Sequence, residues 1–155
     1  MAAMMIQQLP FHLRNTGKRD VRSQFGALPY RIVNGKVKVL LITSRGTGRW
    51  IIPKGWPMHQ CTPAEAAGIE AFEEAGVKTR PHNAVIGFYT YAKIQNGRRM
   101  PVVVAVFPVE VKKELSNWPE RTQRQRKWMG RKKAAKLVQE PELAQIIRNF
   151  DPTLL

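Results

Sequence analysis

Four of the eleven acidic residues, Glu65, Glu70, Glu73 and Glu74, fall within ten positions of a chain that also carries 26 lysines and arginines. Glu70, Glu73 and Glu74 stand at i, i+3 and i+4, the spacing that puts three carboxylates on one face of a helix. Like charges so placed repel by roughly a few tenths of a kcal/mol per pair on an isolated helix. Two arrangements relieve that repulsion. One is a solvated acidic face partnered by lysines and arginines. The other is a hard divalent cation, Mg²⁺ or Mn²⁺, which takes oxygen ligands and also binds substrate phosphates.

The helix needed to hold these carboxylates has clear ends. Thr62 suits an N-cap, Pro63 the first helical position, and Glu65 completes a capping box with Thr62. Gly76 suits the C-terminal stop. Upstream, Leu28–Val33 and Val37–Thr43 flank Asn34-Gly35, a two-residue hairpin signal. Ser44–Gly48 reads as a Gly-rich loop, Trp50–Ile52 as a short strand ended by Pro53, and residues 53–61 as irregular. Downstream, Ala84–Ile94 and Met100–Val111 form a second hairpin about Asn96-Gly97. Arg126–Met129 adds a short strand, and Lys132–Val138 and Pro141–Phe150 read as terminal helices. Interleaved strands and helices with hairpins predict one α/β domain with a mixed sheet. Residues 1–25 carry no clear period and are expected to form a flexible basic tail ahead of a domain over 26–155.

Composition sets outer bounds. An apolar fraction of 43% over 155 residues is enough for one packed core. No apolar run approaches the roughly 18 residues of a membrane helix, so no membrane role is expected. The single Cys61 excludes an internal disulfide framework, and a cytoplasmic location is the default. The formal charge of +15 favours polyanionic partners over a merely solvated basic surface.

The run from Gly55 to Val77 resembles the Nudix hydrolase signature, G-x5-E-x7-R-E-U-x-E-E-x-G-U with U apolar. Gly55 opens the match, and Glu70-Ala71-Phe72-Glu73-Glu74-Ala75-Gly76-Val77 closes it at the right spacing. Arg49–Gly55 resembles the strand and turn that lead into the box. Two positions depart: the first glutamate is Cys61 and the arginine is Ile69. Exchanging an acid and a base together strands neither charge. The loss of an arginine also removes charge-assisted hydrogen bonds, so altered turnover is one expected consequence. Cys61 has no neighbouring base that would make it a nucleophile.

The resemblance implies a Nudix-like α/β/α sandwich with a mixed β-sheet. It also implies a site in which the Gly55 carbonyl and the carboxylates of Glu70, Glu73 and Glu74 hold Mg²⁺ or Mn²⁺. The implied reaction is water attack on phosphorus of a diphosphate linkage, with Glu70 the first choice of general base and Glu120 a weaker additional carboxylate. The alternative is a catalytically impaired Nudix-fold binder of polyphosphate or RNA. Arg45, Arg49 and Lys54, beside the box, are the candidate phosphate-binding residues. His59 reads as a surface residue near them.

Asn117-Trp118-Pro119-Glu120, with Arg124, Arg126, Lys127 and Trp128 after it, is similar to a stretch of the diphosphoinositol polyphosphate phosphohydrolase branch. Trp128 itself reads as core. Expected substrates are therefore highly phosphorylated small molecules: dinucleoside polyphosphates, inositol pyrophosphates or nucleotides, with an RNA 5′ end as a further partner.

Overall fold

The computed structural model describes residues 4–5 and 22–155. Among the described residues, ten strands and three α-helices follow one another. They are β1 (Met4–Met5), β2 (Ser23–Val33), β3 (Lys36–Thr43), β4 (Trp50–Ile51), β5 (Lys54–Gly55), α1 (Pro63–Ala75), β6 (Val77–Pro81), β7 (Ala84–Val85), β8 (Gly87–Gln95), β9 (Arg98–Glu114), β10 (Arg126–Gly130), α2 (Arg131–Leu137) and α3 (Pro141–Asn149). The main sheet runs β10-β3-β2-β9-β6, with β4 on β3, β5 on β2 and β8 on β9. It is mixed: β2 pairs β9 in parallel, and the other pairings are antiparallel.

Both hairpins close where Asn-Gly stands. Asn34 and Gly35 have φ of 50° and 75°, and Asn96 and Gly97 have φ of 52° and 73°. Two consecutive left-handed residues give the turn whose twist matches that of paired strands. The sheet buries both faces. Against one lie Ala64, Ala67, Ala71 and Ala75 of α1, packed with Phe25, Leu40, Ile42 and Phe107. Against the other lie Ala134, Leu143 and Ile147 of α2 and α3, packed with Leu41, Tyr89, Val104 and Val106. The product is the expected three-layer α/β/α sandwich.

The small residues of α1 bring its axis close to the sheet, which draws the glutamates on its flank towards β5. Three details differ from the sequence reading. Strand β2 begins at Ser23, inside the stretch expected to be tail, because Gln24 and Phe25 are buried. Residues 1–3 and 6–21 of that stretch lie outside the described residues. Lys54–Gly55 forms two residues of strand where Pro53 and Pro57 suggested irregular chain, since Gly55 pairs with Phe25. Strand β6 was not anticipated: it is short, with Val77 buried, Thr79 and Pro81 half-buried and Lys78 and Arg80 exposed. Among the described residues no helix is long and apolar enough to cross a membrane.

Candidate active site

The carboxylate helix is fastened at both ends. The Thr62 hydroxyl accepts from the Glu65 backbone N–H at 3.2 Å, and the Glu65 carboxylate accepts from the Thr62 N–H at 2.9 Å. These hydrogen bonds complete the expected capping box and hold the Glu65 carboxyl below its ordinary range. At the other end Gly76 adopts a left-handed φ of 68°, and its N–H donates to the Phe72 carbonyl. A Cβ there would also stand 2.4 Å from the Trp118 ring, so the position demands glycine twice over.

Donors from the long loop after β9 and a cation from the first residue of β10 complete that end. Trp118 Nε1 donates to the Glu74 carbonyl at 3.2 Å, and the Glu120 N–H donates to the Glu73 carbonyl at 3.1 Å. Arg126 Nη1 donates to the carbonyls of Ala75 and Gly76, while Nη2 donates to Leu115. Its guanidinium stacks 4.0 Å from the Trp118 ring. The last turn of α1 has no basic residue of its own, so Arg126 supplies the positive charge that a helix C-terminus favours.

Glu70 and Glu74 are buried, with 9% and 6% of their surface exposed, and they hydrogen-bond to each other. Burial, with the neighbouring acids Glu73, Glu74 and Glu120 adding to it, pushes the Glu70 carboxyl well above its usual range. Glu74 is raised too, again chiefly by burial, although Arg124 and Lys54 favour its charged form. Gly55 sits against this pair: a Cβ on it would lie 2.1 Å from Glu70 Oε1. Glu73 is half-buried beside them, not within the pair.

Among the described residues no three His, Cys, Asp or Glu side chains close around one point as an all-side-chain metal cage would. The donor set nevertheless fits Mg²⁺, which is ordinarily held by one or two carboxylates, with waters and substrate phosphates completing its shell. Two buried carboxylates in contact require a proton or a cation between them. The glycine cradle at residue 55 leaves no room for any side chain to intervene.

The cations divide by role. Lys54 is half-buried, and its Nζ stands 4.8 Å from the Tyr91 ring. Burial lowers its ammonium to about 8, against the pull of Glu74 and Glu140 in the other direction. Arg45 is exposed, hydrogen-bonds Gln123 and lies 3.8 Å from Glu120. Arg49 is turned to Glu140, at 3.2 Å, and to Gln139. Lys54 thus lies within electrostatic reach of Glu74, Arg45 reaches the acidic cluster through Glu120, and Arg49 is bound to the segment before α3. His59 is exposed in the loop ahead of the helix.

Cys61 is half-buried against the apolar cluster beneath α1, and Ile69, 36% exposed, faces an open groove with Phe72, Val77 and Pro81. Trp128 is half-buried; its indole N–H donates to Glu114, and Arg31 stacks on its ring. Three features were missed in the sequence. Arg124, named only within a basic run, is inserted between Glu74 and Glu120. Tyr91 donates to Gln24 at 2.6 Å beside Lys54. Trp56, directly after Gly55, lies under the Lys93 ammonium at 5.9 Å. Only the aromatic type of Trp56 and Tyr91 could have pointed to them.

A mixed sheet between helices, with a buried glutamate pair on a helix cradled by a glycine strand, defines an α/β/α domain of the carboxylate-helix class. The family model described as the NUDIX domain matches residues 24–151, and the chain belongs to the Nudix hydrolase family. It is 33% identical to Nudix hydrolase 16, mitochondrial, of Arabidopsis thaliana over 75% of this chain and 72% of that one. It is 29% identical to Nudix hydrolase 13, mitochondrial, of the same organism over 81% of this chain and 71% of that one. Among solved structures, the Ap4A hydrolase of C. elegans shares the fold with a TM-score of 0.61 at 22% identity, over 87% of this chain and 99% of that one. A NUDIX hydrolase from Nitrosomonas europaea does so with a TM-score of 0.62 at 17% identity, over 87% and 95%.

Proposed function

We propose that this Nudix hydrolase is a Mg²⁺-dependent pyrophosphohydrolase that cleaves a diphosphate linkage in a nucleoside polyphosphate by attack of water on phosphorus. The observation that carries this reading is the buried Glu70–Glu74 pair pressed against Gly55. A divalent cation, when bound, would neutralise phosphate oxygens and lower the pKa of a bound water. Glu70 and Glu74, with the Gly55 backbone, are the groups that would hold it, and Glu73 completes the acidic face.

The rest is the work of the chain's own side chains. A carboxylate whose proton affinity is raised by burial is suited to take the proton of the attacking water, and Glu70 is the group assigned that role. Glu120, held between Arg45 and Arg124, is a second acceptor at the rim. Lys54 and Arg45 place positive charge where phosphates would lie on either side of the pair. Trp56 and Tyr91, each under a lysine ammonium, offer ring faces near Lys54 on which a base can stack. That pairing of aromatic and cationic groups favours a nucleotide-type substrate over an inositol pyrophosphate, and the C. elegans neighbour is an Ap4A hydrolase.

The test is a panel of dinucleoside polyphosphates, nucleoside triphosphates, capped or triphosphorylated RNA and inositol pyrophosphates, each with and without Mg²⁺. Hydrolysis confined to the nucleotide members, with KM raised in Trp56→Ala, supports the assignment. One specific observation favours a second reading: Ile69 presents no cation to the carboxylate face. Salt-dependent polyphosphate binding with no turnover on any member would establish a Nudix-fold binder instead.

A further inference from the structure

We propose that Arg124 is a positioning residue that holds Glu74 of the α1 carboxylate pair, together with Glu120, from outside the helix, so that the site does not depend on an arginine at position 69. The inference rests on the proposed hydrolytic site but concerns how this chain builds it. Arg124 enters from the residues just before β10 with its side chain 7% exposed. Its Nη2 lies 3.6 Å from Glu74 Oε1, and its Nε donates to Glu120 Oε1 at 3.0 Å. Its Nη1 donates to the Thr43 carbonyl at the end of β3, at 3.1 Å.

Two hydrogen-bond acceptors and one ion-paired carboxylate, on three separate segments, therefore fix one planar guanidinium, and the guanidinium orders two carboxylates. A lysine could not span them, because its single ammonium lacks the fork that reaches acceptors in different directions. The signature's own arginine position is Ile69, which turns to the open groove beside β6. Cys61, where the signature has an acid, packs against the apolar cluster, so no acid there awaits an arginine. A buried arginine with no carboxylate partner is costly, and so is a buried carboxylate with no cation. Arg124 and Glu74 satisfy each other, and Glu120 takes the remaining edge of the fork.

Arg124 therefore acts through Glu74 and Glu120. Removing it should release their orientation and lower kcat, while the phosphate-facing cations Lys54 and Arg45 keep KM nearly constant.

The experiment compares the full chain with Arg124→Ala, Arg124→Lys and Cys61→Glu/Ile69→Arg. Steady-state kinetics on the best panel substrate are read beside the carbon-13 side-chain carboxyl NMR signals of glutamate in EDTA-treated protein. Arg124→Ala is expected to lower kcat on the order of 100-fold, the effect of about 1 Å of misplacement, with KM changed less than about threefold. Arg124→Lys should recover part of that loss. In metal-free protein the Glu74 and Glu120 carboxyl signals should shift or broaden in Arg124→Ala. Cys61→Glu/Ile69→Arg should change kcat by less than about threefold, since the pair is already held.

A raised KM at unchanged kcat in Arg124→Ala would overturn the proposal, by making Arg124 a substrate contact. So would a gain of tenfold or more from Cys61→Glu/Ile69→Arg, or unmoved Glu74 and Glu120 signals in Arg124→Ala or, should that variant not fold, in Arg124→Lys. If no panel member is hydrolysed by the native chain, the functional reading fails, and the metal-free carboxyl spectra still decide whether Arg124 orders the pair.

Discussion

Substituting Gly55 by alanine tests the cradle beneath the carboxylate pair. The backbone there is not left-handed, so alanine meets no conformational barrier. The obstacle is the Glu70 side chain: the new Cβ would stand 2.1 Å from Oε1, 2.3 Å from Cδ and 2.9 Å from Oε2. Ordinary van der Waals contact begins at 3.4 Å, so Glu70 Oε1 must withdraw by about 1.3 Å. A displacement of about 1 Å at a catalytic group costs on the order of 100-fold in rate, equivalent to about 2.7 kcal/mol of barrier.

The fold itself should survive, because the atoms that must move are the far end of the Glu70 side chain and not backbone. The assay is initial-rate hydrolysis of the best diphosphate substrate with saturating Mg²⁺, accompanied by a thermal melt. The expected result is a melting temperature within a few degrees of the native one and kcat reduced by about two orders of magnitude. A Gly55→Ala protein with kcat within threefold of native would refute the placement of Glu70 at the reacting centre.

Three further outcomes follow from the same structure. In metal-free protein the raised Glu70 carboxyl makes the folded state the better proton binder between the ordinary value of 4.5 and about 9. Stability should therefore fall as pH rises through that window, and denaturant titrations of Glu70→Gln should show a flatter profile there. Thr62→Ala removes the N-cap and half of the capping box, so urea unfolding should register a loss of about 1 kcal/mol. Arg126→Ala leaves the carbonyls of Ala75, Gly76 and Leu115 without their charged donor and uncovers Trp118; calorimetry should show about 2–3 kcal/mol of destabilisation.

The sequence made some parts of this molecule legible because the physics there is local. Asn34-Gly35 and Asn96-Gly97 specify their turns through residues that tolerate positive φ, and Thr62, Pro63, Glu65 and Gly76 specify both ends of α1. The glutamate spacing likewise placed Glu70 and Glu74 on one face, as found. Long-range placement was not legible. Nothing local shows that the loop after β9 folds back to lay Trp118 on Gly76, or that Arg124 enters between Glu74 and Glu120.

Candidate phosphate-binding cations were equally hard to rank by sequence proximity. Arg49 stands five residues before Lys54, yet its guanidinium is drawn to Glu140 ahead of α3, and both act on the Lys54 ammonium. Strand β6 went unread because its inward positions, Val77, Thr79 and Pro81, carry only one strongly apolar side chain, so the alternation of its burial is faint in the sequence. Glu73 also illustrates the limit of helical spacing: one face of a helix is about 100° wide, and only two of its three glutamates face inward.

The central claim is that the Glu70–Glu74 pair assembles a metal-dependent site for diphosphate hydrolysis. The measurement that meets it most directly is the rate of dinucleoside polyphosphate hydrolysis by the native chain, Glu70→Gln and Glu74→Gln across a Mg²⁺ titration. The native chain should show saturable, Mg²⁺-dependent hydrolysis, lost by at least about 100-fold in each variant while both remain folded. Hydrolysis that is indifferent to Mg²⁺, or retained in Glu70→Gln and Glu74→Gln, would contradict it.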